Sequence, residues 1–202
     1  MNFTRITKRF CLHSALLLSV GSVSLAANEM DASQVIDARE YIATFCTLEG
    51  NWAGEMEQYR DGAVFRSSDF EAWFACQPGK EVLIESNTFF QDPGSTFPTL
   101  KVIFPVDLET GSTATMQLSY FFGGMERVYS FDATELDFVD DENWTVTRRL
   151  VDVLNPAAEA PPVSRYIHIR EGDTLIMIRQ VKPDQSTPDW SLSSQLTLRL
   201  QP

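Results

Sequence analysis

The sequence predicts an all-β protein: an antiparallel up-and-down β-barrel of about eight to ten strands, led by one short N-terminal helix. Three observations carry that expectation. After Leu48 the chain becomes a succession of short segments in which apolar and polar residues alternate, the period of two that a strand with one buried face requires. Turn-forming pairs punctuate these segments: Asp61-Gly62, Pro78-Gly79, Pro93-Gly94, Thr110-Gly111, Gly123-Gly124, Asp141 to Asn143, and Glu171-Gly172-Asp173. No helical period falls between successive strands, so hairpins rather than β-α-β units connect them.

The N-terminus comes first. Arg5, Lys8 and Arg9 precede an apolar run from Ala15 to Leu25, and Ser24-Leu25-Ala26 supplies small residues at its end. That order is the secretory signal pattern, and the run is too short for a membrane span of about 20 residues. Cys11 lies ahead of the apolar core, where a lipoprotein cysteine does not sit. The expected division is residues 1–26 as a removed signal peptide, 27–47 as a helical lead-in and 48–202 as the barrel domain, in the periplasm or secreted. A helix from about Ser33 to Phe45, capped by Ser33, would turn Val35, Ile36, Tyr41, Ile42 and Phe45 toward a core.

The strands follow near residues 50–59, 63–70, 81–90, 99–106, 113–122, 126–133, 144–153, 164–170, 174–181 and 191–200. The last is the clearest, with Leu192, Leu196, Leu198 and Leu200 on one side and Ser193, Gln195, Thr197 and Arg199 on the other. The segment NPAAEAPPV, Asn155 to Val163, is too proline-rich for a ladder strand and reads as a loop. Closure of the sheet would remove its edges and leave room for a small ligand.

Loss of the leader removes three basic residues and no acid, so the net charge moves from −12 to −15. Nucleic acid and anionic lipid would be repelled, and neither a nucleic-acid partner nor stable membrane insertion is expected. Cys46 and Cys76 remain, an even number in an oxidising compartment, which suggests a disulfide. Two cysteines and one histidine do not make a closed zinc site. The acids Asp137, Asp140, Asp141 and Glu142 read as a solvated turn, since their spacing is not that of a calcium loop. The serines lack a nucleophile-elbow context, and no acid/base pair stands out.

Gly50-x-Trp52, just after the helix and opening the first strand, resembles the calycins, the superfamily of lipocalins and fatty-acid-binding proteins. The resemblance implies a barrel whose end is plugged by Trp52, with an arginine from a late strand stacked across the indole. Arg199 is the positional match, with Arg179 in reserve. The T-D-Y signature and long C-terminal helix of lipocalins are missing, so the likeness is to a calycin-like barrel rather than a true lipocalin. Glu126-Arg127-Val128-Tyr129 is similar to the R-x-Y carboxylate grip of fatty-acid-binding proteins, and Arg127 and Tyr129 share a strand face. In that family the grip lies on the last strand, whereas here strands follow it. Nitrobindin-like barrels, which also bear G-x-W, hold haem through a histidine near the C-terminus. Only Gly50, Trp52 and Gly54 match their glycine-rich first strand, so no cofactor is expected at His168. If Ile167 and Ile169 face inward, His168 faces water with Tyr166 and Arg170.

Trp52 and Met56 share one strand face, taken as inward. Met116, Leu118, Tyr120 and Phe122 share another. With Phe104, Trp144 and Met177 they would line an apolar interior, the alternative being plain core packing. The expected ligand-binding set is therefore Trp52, Met56, Phe104, Tyr120, Phe122, Arg127, Tyr129, Trp144 and Met177, with Cys46, Cys76 and Arg199 structural and no catalytic or metal residues. The leading expectation is an exported protein that binds a small apolar or amphipathic molecule, including a carboxylate. The alternatives are a barrel filled by its own side chains that meets a protein partner, and a barrel isomerase or cyclase using Arg127, Tyr129 or His168.

Overall fold

The computed structural model describes residues 36–79, 81–91, 95–107, 113–121, 125–153 and 163–202. Helix α1, Ala38–Phe45, is followed by a single 3-10 turn, Cys46–Leu48. Ten strands follow: β1 Gly50–Arg60, β2 Ala63–Cys76, β3 Leu83–Gln91, β4 Ser95–Asp107, β5 Thr113–Phe121, β6 Met125–Asp140, β7 Asn143–Val153, β8 Val163–Glu171, β9 Thr174–Lys182 and β10 Ser191–Leu200. Each pairs antiparallel with its neighbours in sequence, and β1 pairs with β10 to close the barrel. The expected all-β, up-and-down class is the observed one, at the upper end of the expected strand count.

Local chemistry explains the first elements. The N-cap of α1 is Asp37, whose carboxylate accepts from the Arg39 N–H at 2.7 Å; it satisfies one of the donors that a helix start leaves free. Ser33, the expected cap, lies outside the described residues. The β1–β2 turn is Asp61-Gly62, both with positive φ (51° and 78°). Two left-handed residues in a row twist a tight hairpin in the sense its strands require. At the closure, β1 and β10 approach so nearly at Gly54 that a Cβ there would lie 2.0 Å from the Thr197 carbonyl oxygen. No side chain larger than hydrogen fits, and Gly54 thereby permits the register Trp52↔Leu200, Gly54↔Leu198, Met56↔Leu196.

Helix α1 lies against the barrel end where β4, β5 and β6 meet it. Tyr41, Ile42 and Phe45 are almost completely buried, with Leu48, Trp52, Phe74, Leu83, Ile103, Trp144, Val146, Leu175 and Leu198 around them. The aromatic contacts run Tyr41–Phe45 at 4.6 Å and Phe45–Trp144 at 5.2 Å. Burial of each large apolar side chain contributes roughly 1.5–3 kcal/mol, so the plug is a core of its own. The disulfide Cys46–Cys76, with Cα atoms 5.6 Å apart, ties the turn after the helix to the end of β2. Arg39 also reaches Asp107 at the end of β4, at 2.9 Å, through an exposed pair that adds little.

Candidate functional site

Two tiers occupy the interior. Beside the plug it is apolar. Beyond that it is polar, on two facing walls. One wall carries Glu85, Asn87, Lys101, Thr115, Gln117 and Ser119 from β3, β4 and β5. The other carries Arg148, Ser164, Tyr166, His168 and Arg179 from β7, β8 and β9.

The faces of β5 are the reverse of those expected. Thr115, Gln117 and Ser119 are buried, while Met116, Leu118 and Tyr120 take the outer face and Tyr120 is 40% exposed. Phe104 pairs with Met116 on that same outer face, opposite in sense to buried Ile103. Phe104 and Tyr120 are therefore corrected from interior to exterior positions. Phe122 lies outside the described residues, as does the side chain of Arg127. Tyr129 is half-buried and lies 6.1 Å from Phe131, which is buried inside. Met56 and Met177 are partly buried against the core cluster.

Trp52 and Trp144 sit in the plug rather than in the polar tier. Trp52 Nε1 donates to the Leu48 carbonyl at 2.7 Å, and Trp144 Nε1 to Thr47 Oγ1 at 3.0 Å, so both indole donors hold the 3-10 turn. An arginine does stack on Trp52, but it is Arg170 of β8, with its guanidinium carbon 5.6 Å from the ring. Arg199 is exposed on the outer face of β10 and has no such role, while Arg179 points into the barrel some distance along it. The alternation of β8 explains the error: Ser164, His168 and Arg170 are buried, and Ile167 and Ile169 take the outer side.

His168 accordingly faces inward, not water; it is 1% exposed. The Phe45 ring covers it edge-on at 4.8 Å, and its register partners are Val146 and Met177. Neither ring nitrogen completes a hydrogen bond. Burial first, and then the Arg148 and Lys101 charges, hold its pKa well below the ordinary 6.5, against a weak opposing effect from the Val146 backbone. The imidazole is neutral at physiological pH.

The charged groups divide unequally. Glu85 pairs with Lys101 at 2.6 Å and accepts from Asn87 Nδ2 at 2.7 Å. Burial alone would raise the Glu85 carboxyl; Lys101, Asn87 and Arg148 outweigh it and hold it below the usual range. Arg148 packs its guanidinium carbon 4.3 Å from the Phe131 ring, 5.2 Å from Tyr166 and 5.8 Å from Tyr41. The Tyr41 hydroxyl is buried beside Arg148 without a well-formed hydrogen bond, and desolvation pushes its pKa up to about 12 against the lowering effect of that guanidinium. Asn87 Oδ1, Thr115 Oγ1, Arg148 Nε and Arg179 Nε are also buried without partners. Sequence reasoning missed this tier because its members are polar residues at alternating positions of strands whose apolar residues point outward.

The acidic cluster forms the β6–β7 turn, where Asp140 Oδ1 accepts from the Glu142 N–H and Asn143 Nδ2 at 2.9 and 2.8 Å. Among the described residues no group of three or more His, Cys, Asp or Glu side chains is arranged to hold a metal.

Fold and site together define a closed ten-stranded antiparallel barrel with one plugged end and a polar inner tier. No protein-family model and no curated protein matches the chain. Among solved structures 11 chains match. One is the crystal structure of Rv2717c from M. tuberculosis, with a TM-score of 0.55 and 14% identity, covering 84% of this chain and 100% of that one. At that identity the likeness is one of fold.

Proposed function

We propose that the protein is an exported small-molecule-binding barrel that holds an amphipathic ligand, its apolar part toward the plug and its polar part in the polar tier beyond it. The observation that carries this reading is the cluster of buried, unpartnered polar atoms inside the barrel: Asn87 Oδ1, Thr115 Oγ1, Arg148 Nε and Arg179 Nε. Folded proteins leave only a few per cent of buried polar groups unpaired, and several in one enclosure are what a binding site with its own hydrogen-bond demands requires. The leader-like N-terminus and the disulfide support export, and among the described residues no helix is long and apolar enough to cross a membrane.

Native mass spectrometry of protein purified from its own host, followed by denaturing extraction, tests the reading. A reproducible small-molecule adduct released on denaturation is expected. A bare polypeptide mass, lighter by the two hydrogens of the disulfide, would instead favour a barrel filled by its own side chains.

A further inference from the structure

The geometry points to an anion as the polar end of that ligand: a carboxylate or phosphate gripped by the Arg148 and Arg179 guanidiniums on either side of Tyr166. This assignment rests on the binding reading above and sharpens it.

Arg148, Tyr166 and Arg179 are successive register partners across β7, β8 and β9. The Tyr166 ring lies between two cations, with guanidinium carbons 5.2 Å and 5.9 Å from its centre. Arg148 is only 4% exposed. Its hydrogen bond to Gln117 Oε1 is long, 3.4 Å, and its Nε has no partner. Arg179 repeats the pattern, with a 3.5 Å contact to Ser164 Oγ and an unpartnered Nε.

Among the described residues neither arginine forms an ion pair. The buried acid of the inner face, Glu85, is already engaged by Lys101 at 2.6 Å. Among the described residues the tier thus holds three cations, Lys101, Arg148 and Arg179, and one carboxylate, Glu85, inside a chain whose net charge is −12. A desolvated cation without a counter-charge in contact with it is costly, and two near each other more so. An entering anion relieves both at once. Guanidiniums suit that task, since their planar forks present paired donors to carboxylate and phosphate oxygens. The aromatic faces of Phe131 and Tyr166 hold the Arg148 plane in position at 4.3 and 5.2 Å, so little side-chain freedom remains to be lost on binding.

The test is calorimetric titration of the disulfide-intact protein with four probes of one chain length: octanoate, octyl phosphate, octanol and octyltrimethylammonium. Octanoate or octyl phosphate is expected to bind, and whichever binds more tightly tells carboxylate from phosphate. Arg148→Met and Arg179→Met should each weaken that binding by roughly tenfold or more, the loss expected for one charge-assisted contact. Arg199→Met, on the outer face, should leave it unchanged. Far-ultraviolet circular dichroism and a cooperative melt confirm that each variant is folded; should Arg148→Met not fold, Arg148→Lys and Arg179→Met carry the test. If octanol or octyltrimethylammonium binds as tightly as the anions, or the folded variants bind octanoate like the parent, the anion assignment is wrong while the binding reading stands. If none of the four probes binds, both fail.

Discussion

Arg170 lies across Trp52, its guanidinium carbon 5.6 Å from the indole ring, and the same side chain donates to the carbonyls of Thr47 and Gly172. One residue thus links the plugging tryptophan, the turn after the helix and the β8–β9 hairpin. Arg170→Met keeps the stem and removes these contacts. It leaves the Thr47 carbonyl without its buried donor, so a loss of about 2–3 kcal/mol is expected. Arg199→Met, exposed on β10, should cost under about 0.5 kcal/mol. Urea unfolding of both variants checks the contrast; equal losses would return the stacking role to Arg199.

The Cys46–Cys76 bridge closes a separation of 30 residues. On the chain-entropy account such a loop stabilises the fold by roughly 3–4 kcal/mol. The double variant Cys46→Ser with Cys76→Ser should unfold at correspondingly lower urea, and a reducing agent should bring the parent to the same midpoint. A parent indifferent to reduction would show that the plug is held by packing alone.

Gly54→Ala and Gly62→Ala should differ in cost. The first drives a methyl to 2.0 Å from the Thr197 carbonyl oxygen, where only backbone movement can relieve it, and overpacking of this kind costs about 1–3 kcal/mol or more. The second strains a turn at φ 78° but meets nothing within 4 Å, for about 1 kcal/mol. Thermal melts give the order. The reverse order would place the tight approach elsewhere along the closure.

His168 sets a pH window. Its folded pKa lies below its unfolded value, with burial the main cause and the Arg148 and Lys101 charges adding to it. Below about pH 6.5 the unfolded chain therefore binds more protons, and stability falls as pH falls, by up to ~1.4 kcal/mol per pH unit. Above that pH the contribution is fully present. Glu85 is depressed in the fold, so its contribution is lost only below the ordinary carboxylate range. Urea midpoints between pH 7.5 and 5 should decline in the parent and flatten in His168→Leu. A flat parent profile would mean that the imidazole has a proton-accepting neighbour not described above.

The sequence made the strands legible but not their faces. Alternation along β10 and Asp61-Gly62 between β1 and β2 marked elements and turns, because backbone pleat and turn φ values depend on local residues alone. Alternation also showed which residues of β5 share a side. The rule that cores are apolar turns Met116, Leu118 and Tyr120 inward. The rule fails here: the inner tier is polar, and the outer face of a curved barrel half-buries apolar side chains between neighbours. The same reversal on β8 hid His168 and Arg170. Trp52 was legible because a G-x-W at the first strand is local, whereas its stacking arginine depends on register across the whole barrel.

The pairing of β1 with β10 has a kinetic consequence. Trp52 meets Leu200 and Gly54 meets Leu198, so the seam joins the first strand to the last. It pairs segments separated by most of the chain, and contacts so distant along the chain slow folding toward the millisecond-to-second range. The bond between Cys46 and Cys76 needs only helix, β1 and β2 in place. Stopped-flow refolding should accordingly show a slowest phase that the disulfide accelerates little, because the bridge shortens the path to the plug and not to the seam.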